Sequence, residues 1–328
     1  MPCQRLLLLL LSWLMIWPLQ AAKPPPDPLA DFVGTLGYER VELKRVKPSP
    51  DRPGHGNDLY LDVRVNGKKQ RWQLDTGFSI TCFDRPAGKR ITTLSELDRQ
   101  LDDPVLGRVR GTNFVMIDDL RLGSLRLTDQ PAQVKNLGNR VLSTDMDAIL
   151  GMDLLRRHYA LIDFPGKGLF LRFHEPDDQT SVSLDRTLRH SGWKVVALTT
   201  DSSLCQFIEM RIGDESLRLL VDSGSDFTRL DLAVAKRLGL KPAPTRMTMG
   251  GVENRSSKSY SAWIPLAQLP GLSLTNEAVL VNDLTAWQPQ GGRRIDGMIG
   301  ADWLAVGSGV LDCYAGRLYL REFFKPKK

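Results

Sequence analysis

Cysteine and histidine are scarce in this chain. Four cysteines, Cys3, Cys82, Cys205 and Cys313, form neither a CxxC pair nor a cysteine–histidine spacing of the kind that holds zinc. Four histidines, His55, His158, His174 and His190, are scattered without HExxH and without an acidic partner at fixed spacing. Zinc hydrolysis and a histidine-based triad therefore lack support, and each histidine is read as exposed or satisfied within the fold. No run of five Lys or Arg concentrates the formal charge of +6 over 328 residues, so nucleic acid is not an expected partner. After residue 22 no apolar run is long enough to span a bilayer, which excludes a multi-span membrane protein.

What is present is a globular composition: 42% hydrophobic, 25% charged and 7% aromatic. At roughly 150 residues per domain the length suits two domains, each able to bury a core without disulfides. Arg5 precedes the apolar run 6–17, then Pro18 and the small residues Ala21 and Ala22, the pattern of a secretory signal over residues 1–22. Leu19 or Gln20 stands where a small residue is usual before the cut; a cleaved signal is favoured over a retained membrane anchor. Either way the folded part is expected to be exported, to a bacterial periplasm or envelope or to the medium. The proline-rich stretch 23–28 opens an extended tether or N-terminal arm over residues 23–57. Beyond the signal, Cys82, Cys205 and Cys313 leave open one disulfide with one thiol, or three buried thiols.

The halves of the chain repeat. Residues 60–77 match 207–224, with Asp222 following Asp75 by 147 residues; 146–154 match 295–303 and 161–172 match 310–321, both at an offset of 149. Such constancy points to one unit duplicated and fused. We divide the chain into a first lobe, residues 58–175, a linker, 176–187, where the polar stretch 176–181 shows no apolar periodicity, and a second lobe, 188–328. Stretches 59–65 and 205–212 alternate apolar and polar residues before Asn66-Gly67 and Gly213-Asp214, a hairpin signal, and apolar strands then run directly into Asp75 and Asp222. Helical spacing occurs at 231–240, where Leu232, Ala235 and Leu238 precede Gly239 and Pro242, and a short helix at 92–101 is expected in the first unit only.

Each unit thus places an Asp, a small hydroxyl residue and Gly at the end of an apolar strand. One such triplet is ordinary turn chemistry; two at matched repeat positions are not. Through Leu74-Asp75-Thr76-Gly77-Phe78-Ser79, Val221-Asp222-Ser223-Gly224-Ser225-Asp226, Ile149-Leu150-Gly151 and Met298-Ile299-Gly300, the chain resembles the aspartic proteases, in their retropepsin-like branch. The resemblance covers most of residues 59–321. It implies an all-β, bilobal fold of two β-barrel lobes with a short helix in each or at least the second. It also implies one catalytic Asp from each lobe at a pseudo-twofold axis, the strands ending in Gly151 and Gly300 beneath the two loops, and Thr76 and Ser223 bracing the loops across the axis. A monomer with both lobes in one chain, a peptide or protein substrate, and no metal or cofactor follow from it.

The chemistry of such a pair is general. Two adjacent carboxyl groups share one proton, giving an acid and a base that activate water against a peptide carbonyl. Gly77 and Gly224 suit tight loops with close backbone approach. In pepsin-like relatives a hydroxyl after the Gly bonds the Asp; with Phe78 after one triplet and Ser225 after the other, the resemblance implies such a bond to Asp222 in one lobe alone, and with it a pH optimum between mildly acid and neutral. Asp226 stands where retroviral relatives bind substrate backbone, with Ser79 at the matching place, so unequal subsites are expected. Gly250-Gly251 resembles the tip of a flap hairpin, with Gly107 and Gly111 the only counterpart in lobe one; an ordinary turn is the alternative. Asp147, Asp153, Asp163, Asp296, Asp302 and Asp312 also recur but are read as caps and turn formers, and Met152 and Trp303 as core. Residues 31–53 either cover the cleft as an inhibitory arm or, preferably, supply an edge strand between the lobes. The competing function is a peptide-binding module that keeps the fold without cutting, an alternative that intact Asp75 and Asp222 oppose.

Overall fold

In lobe one, the alternating stretch forms the strand Leu59–Val65, with Leu59, Leu61, Val63 and Val65 buried, and turns back into Lys68–Leu74. Asn66 (φ 48°) and Gly67 (φ 81°) both take positive φ, the backbone that a two-residue hairpin turn demands. The structure, a computed structural model, describes residues 28–46, 57–91, 101–103, 107–109, 114–137, 146–250, 256–288 and 294–321. The expected signal (residues 1–22), most of the expected helix at 92–101, Gly111 and Gly251 lie outside the described residues; Leu101, the last residue of that stretch, opens a strand, Leu101–Asp103.

Lobe two repeats the hairpin as Gln206–Ile212 and Glu215–Val221. Among the described residues each lobe curls its strands into one sheet that closes on its own first strand. Arg64 pairs with Arg121 in lobe one and Arg211 with Gln268 in lobe two, each residue 147 positions from its mate. The all-β, two-barrel architecture is therefore present. Short helices follow the matched strands Cys82–Asp84 and Arg229–Asp231: Arg85–Ile91, and Leu232–Arg237, which Asp231 caps by accepting from Ala233 N at 3.0 Å.

A third sheet joins the lobes. Its order is Glu39–Glu42, Gly168–Leu171, Leu161–Asp163, Val310–Asp312, Arg317–Leu320 and Lys194–Ala197, three strands from each half, meeting where Ile162 pairs antiparallel with Leu311. The N-terminal arm thus contributes an edge strand to the sheet between the lobes. Period two divides the faces: Ile162, Leu169, Leu311 and Leu318 enter the main core, while Leu161, Phe170, Val310 and Tyr319 face the other way.

That second face is covered by two helices that the sequence reading did not anticipate. Pro28–Thr35 stands within the arm expected to be extended, and Asp178–His190 occupies the expected linker. Val33 of the first and Leu184 and Leu188 of the second pack on the sheet. The linker is helical because Asp177 accepts Thr180 N at 2.7 Å and Thr180, Leu184 and Leu188 form a buried stripe at spacing four. Inspection of 176–181 alone stops short of the two leucines. Each helix ends at a glycine of positive φ, Gly37 (81°) and Gly192 (89°), and leads into an edge strand, so the helix belongs to the repeated unit. Cys82, Cys205 and Cys313 are buried free thiols.

Candidate active site

Asp75 and Asp222 end the strands Lys68–Leu74 and Glu215–Val221, which run parallel to Ala148–Leu150 and Gly297–Ile299. Their amides bond to those neighbours: Asp75 N donates to Leu150 O at 3.2 Å and Asp222 N to Ile299 O at 3.0 Å. Each loop then turns, Phe78 N donating to Asp75 O at 3.3 Å and Ser225 N to Asp222 O at 3.2 Å.

The glycines measure how closely the loops meet. A Cβ on Gly77 would lie 2.6 Å from Asp222 Cγ, and one on Gly224 would lie closer still to the carboxyl of Asp75. Only a residue without a side chain lets each loop lie against the carboxyl of the other lobe. The same glycines hold their own lobe's carboxyl, Gly77 N donating to Asp75 Oδ1 at 2.9 Å and Gly224 N to Asp222 Oδ1 at 3.0 Å.

Thr76 and Ser223 are fully buried and bond reciprocally across the axis. Thr76 N donates to Ser223 Oγ and Ser223 N to Thr76 Oγ1, both at 3.0 Å. Each hydroxyl then donates to the opposite strand, Thr76 to Val221 O at 2.8 Å and Ser223 to Leu74 O at 3.0 Å. Both hydroxyls are used as donor and acceptor, and the four bonds are spread evenly over the two lobes.

Beneath the loops, Gly151 N donates to Thr81 Oγ1 at 3.2 Å and Gly300 N to Thr228 Oγ1 at 3.0 Å. These threonines donate in turn to Asp153 Oδ1 (2.7 Å) and Asp302 Oδ1 (2.8 Å), which also accept the amides of Thr81 and Leu154, and of Thr228 and Trp303. Burial pushes both aspartates up to about 6 against these bonds. Asp153 and Asp302 thus fix the loops from the first turns of the short helices Met152–Arg157 and Ala301–Val306, whose N-cap positions are Gly151 and Gly300. The repeat match had singled them out; their bonds to Thr81 and Thr228 were not legible in it.

The pair itself is held in a place that opposes ionisation. Asp75 is 8% exposed. Burial, then the charge of Asp222 and the hydrogen bond with it, hold Asp75 far above the ordinary carboxylate range. Burial also raises Asp222, opposed by the bond from Asp75, the Gly224 amide and the charge of Arg229. A third carboxylate, buried Asp58, pushes both upward.

Each lobe's opening segment reaches across to the opposite loop. Asn57 N donates to Asp226 Oδ1 at 3.1 Å and Asn57 Nδ2 to Asp226 O at 3.2 Å. At the mate of Asp58 stands Cys205, whose thiol donates to Gly77 O at 3.5 Å and lies 3.7 Å from Ser79 Oγ. Asp226, expected to take substrate backbone, is buried and accepts an amide of the chain's own arm. Ser225 is buried too, and its hydroxyl proton goes to Phe227 O at 2.9 Å rather than to Asp222. Ser79 is half-buried beside Cys205. Gly250 ends the strand Ala243–Gly250, which pairs antiparallel with Ser256–Leu269; Gly251 lies outside the described residues. Lobe one has a hairpin at the matched place, Leu101–Asp103 with Gly107–Val109, so the feature is not confined to lobe two. Among the described residues no group of three or more His, Cys, Asp or Glu is placed to hold a metal.

Comparison with known proteins gives two results. The family model described as "Aspartyl protease" matches residues 61–154 and again 208–303, once per lobe. Curated relatives include "DNA damage-inducible protein 1" of Saccharomyces cerevisiae, 23% identical over 146 residues, 42% of this chain and 32% of that protein. The protein of the same name from Candida glabrata is 28% identical over 107 residues, 32% and 23% of the two chains. "Protein DDI1 homolog 1" of Homo sapiens is 26% identical over 127 residues, 36% and 28%. The matches therefore span about a third or less of these relatives.

The reciprocal bonds define a measurement. Thr76→Val and Ser223→Ala each leave buried partners unsatisfied and are expected to cost about 1–3 kcal/mol in urea unfolding. The double variant should lose less than the sum, because the four bonds form one network. Additive losses would show that the hydroxyls act independently.

Proposed function

Because the chain belongs to the aspartyl protease family, in its retropepsin-like branch, we propose that it is an exported endopeptidase that cleaves peptide bonds with water activated between Asp75 and Asp222. The observation that carries this reading is the placement of two carboxyl groups against each other on loops braced by Thr76 and Ser223. The ionised carboxyl takes a proton from water as its oxygen bonds to the scissile carbonyl carbon, and the protonated carboxyl gives its proton to the carbonyl oxygen. The carboxyl that took the water proton then gives it to the leaving nitrogen as the C–N bond breaks, while a hydroxyl of the tetrahedral diol returns its proton to the other carboxylate, so the pair is restored with one shared proton. The substrate is an extended peptide, and the hairpins Ala243–Gly250/Ser256–Leu269 and Leu101–Asp103/Gly107–Val109 are assigned as flaps that close over it.

Asp75→Asn and Asp222→Asn should each lower cleavage of a peptide library by roughly 10²–10⁴-fold or more. The wild-type optimum should lie between mildly acid and neutral, since burial and mutual repulsion keep the shared proton bound above the usual carboxylate range. Peptides that bind the wild type but remain uncut across that range would favour the binding module; maximal cleavage below about pH 3 would contradict the electrostatics.

Stability gives a second readout. The folded pair holds protons more tightly than the unfolded chain does, so stability is greatest below the ordinary carboxylate range and declines as pH rises through the pair's own titration. Asp75→Asn removes the share of that decline that Asp75 contributes. Its melting temperature should exceed wild type by a margin that widens from about pH 4 to about pH 8; a constant margin would refute the shared-proton assignment.

Export rests on Arg5 and the apolar run 6–17. Protein recovered outside the cytoplasm should begin near residue 23, and recovery only from the cytoplasm with residues 1–22 attached would overturn export.

A further inference from the structure

The lobes are near copies around the carboxyl pair, so a buried charge found beside one Asp alone tells the two apart. Arg229 is such a charge. It opens the strand Arg229–Asp231 immediately after the Asp222 loop and is 7% exposed. Its mate 147 positions earlier is Cys82, which opens Cys82–Asp84 and keeps the same neighbours: Gln133 and Ile149 around Cys82, Leu280 and Met298 around Arg229. Burial pushes the Cys82 thiol up to about 12, so it stays neutral.

The socket around Arg229 is also private to lobe two. Its Nε donates to Ser225 Oγ at 3.2 Å and its Nη1 to Asn282 Oδ1 at 2.7 Å. Asn282 is itself fixed, its Nδ2 donating to Lys258 O at 3.1 Å and Ser259 Oγ at 2.9 Å. At the mates of these anchors lobe one has Phe78 and Lys135, and Lys135 is exposed with its ammonium 5.9 Å from the Phe78 ring. Lobe two therefore buries a fixed cation behind its loop, where lobe one has an aromatic ring and a thiol.

This inference rests on the dyad reading above. We propose that Arg229 is a positioning residue that divides labour within the pair, holding the negative charge on Asp222 as general base and leaving the proton on Asp75 as general acid. The charged groups bearing on Asp222 are Asp75 across the axis, Asp58 from the N-terminal segment and Arg229 from its own lobe. Asp58 raises both members. Arg229 also faces Asp226 and Asp302, which offset part of its charge, and burial pulls it below its usual value; a guanidinium nevertheless stays protonated. Asp75 faces Asp222, Asp58 and the buried thiol of Cys205; Lys135, at the mate of Asn282, is exposed.

The test is carbon-13 NMR titration of the remaining carboxyl in Asp75→Asn and in Asp222→Asn. Asp222, left alone beside Arg229, should titrate at least about one unit below Asp75 left alone, a tenfold difference in proton affinity. Adding Arg229→Met to Asp75→Asn should raise Asp222 by a similar amount, while Arg229→Lys should retain most of the difference. Equal values, the reverse order, or no movement on Arg229→Met would overturn the assignment. Should Arg229→Met fail to fold, the two Asn variants with Arg229 intact still decide it. None of these titrations requires cleavage, so failure of the charge assignment and failure of the dyad reading are distinguishable: the first shows in the titrations, the second in an absence of cleavage. If cleavage is observed, the bell-shaped kcat/KM profile should move to higher pH in Arg229→Met and stay in place in Arg229→Lys.

Discussion

Two carboxyl groups pressed together and shielded from water are held apart from their own preference by the crossed hydroxyls of Thr76 and Ser223. Repulsion would separate the loops if each lobe were free to relax, and a pair a few ångströms wider would no longer share a proton. The brace prevents this because every polar atom it uses is buried and would lose its partner if the loops parted: two amides, two hydroxyls and the carbonyls of Leu74 and Val221. The inter-lobe sheet, continuous across Ile162 and Leu311, brings the lobes together from below, and the brace converts that coarse approach into the placement of two side chains. Gly77 and Gly224 complete it by giving up side-chain volume where the opposing carboxyl must lie.

Around this symmetric frame the departures from symmetry are few and specific. Asp153 and Asp302, Thr81 and Thr228, and Gly151 and Gly300 make the same bonds in both lobes, so the support beneath the pair carries no distinction between its members. The distinctions sit one layer out: Phe78 against Ser225, Cys82 against Arg229, Lys135 against Asn282, and Asp58 against Cys205. Duplication fixes a geometry with two equal carboxyls, and the changes outside the brace give the two unequal surroundings without disturbing the bonds that position the pair.

The fold was legible where local pattern and repeat coincided. Alternation at 59–65, the turn at Asn66-Gly67 and the matched Asp75 and Asp222 are short-range signals, and each appears in the structure where the sequence places it. The helix Asp178–His190 was hidden because its apolar stripe is three residues spread over nine, Thr180, Leu184 and Leu188, and its need to be helical comes from a sheet face that exists only after the lobes meet. Arg229 was hidden for a related reason. In sequence it is one basic residue after the mixed stretch Ser225-Asp226-Phe227-Thr228; its hydrogen bonds are to Ser225 and Asn282, the latter 53 positions away. The roles expected for Ser225 and Asp226 followed sequence position, but hydrogen bonds followed competition: the hydroxyl found Phe227 O, and the carboxylate found Asn57 N.

That last contact shows why the segment before the first barrel belongs to the site. Glu39–Glu42 is bound to the edge of the inter-lobe sheet through Gly168–Leu171 of the first half, while Asn57, fifteen residues beyond Glu42, is bound to Asp226 of the second. The arm therefore ties the sheet below the lobes to the loop beside the pair, on the side that Arg229 occupies. Asp58 follows Asn57 directly and brings its carboxylate toward both members of the pair. A shift of the arm would move the Asn57–Asp226 hydrogen bond and the Asp58 carboxyl together, because the two residues are adjacent.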